Sequence, residues 1–100
     1  MDIKYTNYFL NKLEDVLAES DYHLRYEKGN FKSGFCVLKD TKIVMVNKYY
    51  TTEGKINCLV DIIKEVEMNT DGMTEKNENI YLELKGLIKP KNTPQTKLDI

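Results

Sequence analysis

The sequence predicts an α+β domain: an N-terminal helix, a three-stranded antiparallel sheet, a long second helix near 52–67 and a C-terminal helix near 74–88. Two observations carry the expectation. Apolar residues recur every three to four positions before residue 20 and again between 52 and 67. Between these stretches lie short runs that alternate or are apolar throughout, near 22–28, 34–39 and 42–47, punctuated by Gly29-Asn30 and Asp40-Thr41.

The first helix is expected over Asp2 to Ser20. Tyr5, Phe9, Leu13 and Val16 form its apolar stripe, widened by Tyr8, Leu10 and Leu17, and Asp2 is the candidate N-cap. The first strand alternates: Tyr22, Leu24 and Tyr26 share one face, and His23, Arg25 and Glu27 the other. The next two strands do not alternate in polarity. Phe35 and Val37 oppose Cys36 and Leu38, and Ile43 and Met45 oppose Val44 and Val46. A sheet with one solvated face should alternate apolar with polar residues. Both faces of this hairpin therefore call for a cover, and only one can be supplied by the two helices. The C-terminal segment or a second subunit is expected on the other.

Tyr49-Tyr50 leads out of the sheet. Thr51 or Thr52 caps the second helix, with Glu53 in its first turn, where the helix dipole favours an acid. Ile56, Leu59, Val60, Ile63 and Val66 make its apolar arc, with Ile62 at the edge and Cys58 away from the centre, expected to be only partly buried. From Thr74 a helix is favoured, with Ile80, Tyr81, Leu84, Leu87 and Ile88 on one face; alternation of Ile80, Leu82 and Leu84 leaves a strand open for residues 80–88. Residues 1–89 are expected to form one domain, and 90–100, polar with two prolines, a flexible tail.

Composition narrows the function classes. Apolar residues make up 41% and charged residues 31%, a globular rather than disordered balance. No apolar run reaches the ~20 residues of a membrane span, and the opening MDIKYTNYF does not read as a secretory leader, so a cytoplasmic protein without membrane association is expected. Net charge is −1, but residues 22–55 alone carry seven Lys/Arg and three acids. Cys36 and Cys58 read as small hydrophobes; a disulfide between them would need Cα atoms within ~7 Å. His23 has no partner Ser or Cys at a catalytic spacing. Asp61 and Glu65 share a helix face, where they read as solvated charges beside Lys64 rather than a cation site.

The order helix, strand, hairpin, helix, with Gly34-Phe35-Cys36, Val44-Met45-Val46-Asn47 and Thr51-Thr52-Glu53, resembles the front half of the zincin-like domain of ImmA/IrrE-type metallopeptidases, over roughly residues 5–67. The chain also looks like a small bacterial protein family of the same short architecture. In the metallopeptidases the second helix carries H-E-x-x-H, whose two His bind Zn²⁺ while the Glu activates water. Here Asp61, Ile62 and Glu65 occupy those positions, and the chain's only His is His23. The resemblance thus implies an inactive relative with no catalytic residues, no metal and no cofactor.

The leading expectation is a non-enzymatic interaction domain, self-associating as a homodimer or binding another protein. Its contacts are expected on the strand face not packed by helices, among Tyr22, Tyr26, Phe35, Val37, Tyr49 and Tyr50. The alternative is a single-stranded nucleic-acid module. In it Arg25, Lys28, Lys32, Lys39, Lys42 and Lys48 would meet phosphates, and the neighbouring aromatic rings would stack on bases.

Overall fold

In a computed structural model of the protein, the described residues are 2–29, 31 and 34–89. Helix α1 (Asn7–Ala18) is followed by strands β1 (His23–Glu27), β2 (Phe35–Leu38) and β3 (Ile43–Asn47), then helices α2 (Thr52–Glu65) and α3 (Glu75–Leu84). The fold is α+β, and residues 80–84 are helical rather than extended. The expected tail, 90–100, lies outside the described residues, as do Asn30 and Lys32.

Each helix starts on a threonine. Thr6, Thr51 and Thr74 have extended backbones, and their hydroxyls accept from the backbone N–H three residues on, satisfying a donor the helix leaves open. Thr6, rather than Asp2, therefore begins α1. Tyr5 lies before the helix and Tyr8 on its outer side, so both rings leave the predicted stripe and are exposed. Helix α3 stops at Leu84, because Gly86 takes φ +76°; Leu87 consequently lies outside the helix and exposed. Cys58 is buried rather than at the margin of α2.

The sheet corrects the predicted antiparallel arrangement. Its order is β1-β3-β2, with β2 antiparallel to β3 but β1 parallel to it. Side-chain character explains why β3 is central. Val44 and Val46 are fully buried, each worth about 1.5–3 kcal/mol relative to exposure. Strand β1 carries His23, Arg25 and Glu27 on its second face, a polarity suited to an edge. The hairpin loop is also longer than the predicted Asp40-Thr41 turn. Leu38 pairs with Ile43, leaving residues 39–42 as a four-residue loop that closes with Lys42 at φ +57°.

Helices α1 and α2 pack on β1 and β3 respectively and against each other, and α3 lies on both helices. Leu13, Val16, Leu17, Ile56, Leu59, Ile62 and Ile63 fill the space between. Two acids tie the helical layer together. The Glu19 carboxylate accepts from the Thr74 N–H at 2.8 Å and the Asn77 amide at 2.9 Å, latching α1 to the start of α3. Asp21 accepts from the Asn69 N–H at 3.0 Å and pairs with Lys42 at 3.1 Å.

Hydrogen bonds from Asn77 and Thr74 hold the Glu19 carboxyl below its ordinary pKa, and that from Asn69 does the same for Asp21. Such groups stabilise the fold fully above their unfolded pKa values, near about 4, and lose the contribution as pH falls through their lower folded values. Hydrogen exchange across Glu75–Leu84 should therefore accelerate as pH drops below about 4, relative to exchange in α2 at the same pH. Glu19→Ala should give the faster α3 exchange already at neutral pH. Equal protection of α3 in wild type and variant would show that the latch contributes nothing.

Candidate interaction surface

Strand register decides which residues belong to which face. Pairing of Leu24 with Val44 and Tyr26 with Val46, and of Val37 and Phe35 with the same two valines, gathers these residues on the helix side. Leu24, Tyr26, Phe35 and Val37 are partly buried and packed on the core. The opposite register set is Cys36, Leu38, Ile43 and Met45, bordered by His23, Arg25 and Glu27. None of these four apolar side chains joins the core cluster, and Leu38 is 41% exposed. No described helix covers this outer face.

The contact residues named from the sequence are therefore redistributed. Tyr22 is buried, with the Lys42 ammonium 5.2 Å above its ring. Tyr26 is half-buried on the helix side, its hydroxyl donating to the Glu14 carboxylate and Lys55 lying 4.9 Å over its ring. Burial and the neighbouring Glu14 carboxylate push the Tyr26 hydroxyl far above the ordinary phenol range. It serves as a fixed donor rather than a titrating group. Phe35 and Val37 sit on the helix side of the β2 edge. Only Tyr49 and Tyr50 remain exposed, in the loop after β3.

The outer-face residues Cys36, Leu38, Ile43 and Met45 are not among the contacts expected from the sequence. The signal for them was the alternation of β1, whose polar face carries His23, Arg25 and Glu27. That signal identifies the outer face of the whole sheet only once β1 is paired in register with β3.

The basic residues do not form one track. Lys28 and Lys48 lie just past one end of the sheet, and Lys39 and Lys42 in the loop at the other, separated by a five-residue strand of roughly 17 Å. Arg25 is held by Glu27 at 2.9 Å and Lys42 by Asp21 at 3.1 Å. Lys48 lies 5.4 Å over the Tyr49 ring. Lys32 is outside the described residues.

On α2, Asp61 and Glu65 face solvent whereas Ile62 is fully buried. Among the described residues no three His, Cys, Asp or Glu side chains converge as a metal site would require. His23 is exposed on the outer sheet face. Cys36 and Cys58 are on opposite sides of the sheet, Cys36 facing outward and Cys58 within the helical core, and neither forms a disulfide. Burial raises the Cys58 thiol pKa, with Asp61 adding to it, which lowers the thiolate fraction and its reactivity. No described helix is long and apolar enough to cross a membrane. No protein-family model, curated protein or solved structure matches the chain.

Proposed function

We propose that this chain is a non-enzymatic protein-interaction domain that self-associates through the outer face of its sheet. The observation supporting this most directly is the uncovered apolar set Cys36, Leu38, Ile43 and Met45, on a sheet whose other face already carries the helices. Polar residues border the patch, and Arg25 and Glu27 offer charges of both signs, as a self-complementary two-fold contact would use. The absence of the H-E-x-x-H set at Asp61, Ile62 and Glu65 supports a non-catalytic role.

Magnitude limits the strength of such an association. Three strands ~4.8 Å apart and about five residues long present a face of roughly 250 Å². A standard stable interface buries about 800 Å² per partner. Association over this face alone is weak, and the open edge of β2 with Tyr49 and Tyr50 is the neighbouring surface available to extend it.

Sedimentation velocity should show a reversible, concentration-dependent shift toward dimer at high micromolar chain. The double variant Ile43→Lys/Met45→Lys should hold the chain monomeric while keeping its far-UV circular dichroism, because neither side chain is part of the core. A wild-type chain that stays monomeric at high micromolar concentration overturns the proposal.

A further inference from the structure

The two edges of the sheet differ. The β1 edge strand carries His23, Arg25 and Glu27, polar and charged groups that discourage a further strand. The β2 edge strand, Phe35-Cys36-Val37-Leu38, carries no charge and no proline, and its unbroken register with β3 leaves no bulge. No described strand pairs with this edge, and α1 and α2 pack on β1 and β3.

Hydrogen-bond phase decides what the edge offers. The Asn47 N–H donates to the Gly34 carbonyl at 2.9 Å, so alternation turns the backbone groups of Cys36 and Leu38 toward β3 as well. Phe35 and Val37 each point an N–H and a C=O away from β3, at the open edge. Only Phe35–Leu38 is extended, because Gly34 takes φ +83° and residues 39–42 form the loop.

We propose that β2 pairs antiparallel with β2 of a second copy, Phe35 opposite Val37 and Cys36 opposite Cys36, making one six-stranded sheet. This two-fold register satisfies every outward group of both strands with four hydrogen bonds. A shift in either direction places Phe35 or Val37 beyond the end of the facing strand and keeps two. The same register sets exposed Leu38 opposite Gly34 of the second copy, where the exposed Tyr50 ring lies over the backbone. Leu38 and Tyr50 thus gain apolar neighbours at both ends, and this self-complementarity selects a second copy over an arbitrary strand. The inference goes beyond the face contact proposed above, since it uses neither Ile43 nor Met45. A pairing of four residues is transient, so its test is covalent trapping.

Facing Cys36 Cα atoms in this non-hydrogen-bonded pair would lie ~4.5 Å apart, within disulfide range. The full chain at millimolar concentration is treated with diamide. Each cross-link joins two Cys36 thiols in one S–S bond, and their two protons and two electrons reduce the diamide to its hydrazine. A Cys36–Cys36 dimer is expected, identified by the mass of the linked peptide. Cys36→Ser/Leu38→Cys moves the thiol to a more exposed position on the same face, but ~13 Å along the strand from its own copy, and should cross-link at least about tenfold more slowly. Val37→Pro removes an N–H that β3 does not use and should slow Cys36 cross-linking at least about tenfold, two of the four bonds being lost. Ile43→Lys/Met45→Lys, which breaks the face contact, should leave Cys36 cross-linking intact. Cross-linking lost in that double variant but kept in Val37→Pro overturns the edge pairing and leaves the face contact standing. Equal rates from positions 36 and 38, or no Cys36 cross-link, also overturn it. Should Val37→Pro lose its far-UV circular dichroism, the comparison of positions 36 and 38 decides.

Discussion

Ile62→Glu is expected to destabilise the fold by more than about 4 kcal/mol, a large fraction of the about 5–15 kcal/mol typical of a native domain. The substitution introduces a carboxylate within the buried hydrophobic stripe of α2. Ile62 is completely buried within the hydrophobic core, so a carboxylate there loses its hydration. Asp61 and Glu65, which flank Ile62 on the same helix, are exposed, and Asp61→His and Glu65→His should each change stability by no more than about 0.5 kcal/mol. Urea denaturation of the three single variants checks the contrast. A loss under about 1 kcal/mol for Ile62→Glu would mean that α2 is rotated relative to this structure.

The second large effect is expected at Gly34. Its φ of +83° suits glycine, and its carbonyl accepts from the Asn47 N–H at 2.9 Å, anchoring the entry to β2 against the end of β3. The Tyr50 ring lies over this backbone, and a Cβ at position 34 would approach the ring to 2.4 Å. Gly34→Ala therefore adds a backbone penalty of about 1–2 kcal/mol to the displacement of Tyr50, for a total of about 2–4 kcal/mol. Tyr50 is a partly exposed side chain that can swing outward, so the steric part is separable. In a Tyr50→Ala background the Gly34→Ala cost should fall to the backbone part, measured as the coupling in a double-mutant cycle. Additive costs would show that the ring does not constrain position 34.

Much of the fold was legible because burial imposes periods on sequence. Leu13, Val16, Leu59 and Ile63 recur at helical spacing, and all four are fully buried. The start of α2 was legible at Thr51-Thr52-Glu53 because an N-cap is a local hydrogen bond, made by Thr51 to Gly54. The start of α1 is less legible, because Asp2 and Thr6 are both residue types that cap helices, and it is Thr6 whose hydroxyl accepts from the Phe9 N–H.

Strand pairing was not legible. Strands adjacent in sequence are expected to be adjacent in space, but β1 skips β2 and lies parallel to β3. Pairing partners are chosen by which side chains can be buried together, information distributed over distant segments. The candidate surface depends on that choice. The hairpin alone revealed two apolar faces, and without the register of β1 nothing in residues 35–47 distinguishes Val44 and Val46 from Ile43 and Met45. The latch from Glu19 to Thr74 and Asn77 was likewise invisible, since residues 55 and 58 positions apart become neighbours only when α3 lies along α1.

The class of the fold, the identity and approximate limits of its elements, the mismatch between an apolar hairpin and a single covering layer, and the lack of an H-E-x-x-H helix are written in the chain itself. All of these are local or periodic properties, set by residues within a few positions of one another. The central place of β3, the outward face of Cys36, Leu38, Ile43 and Met45, and the latch of Glu19 onto the start of α3 emerge only when the chain is packed. Each of these follows from which buried surfaces meet across long sequence separations, a competition that short-range spacing does not record.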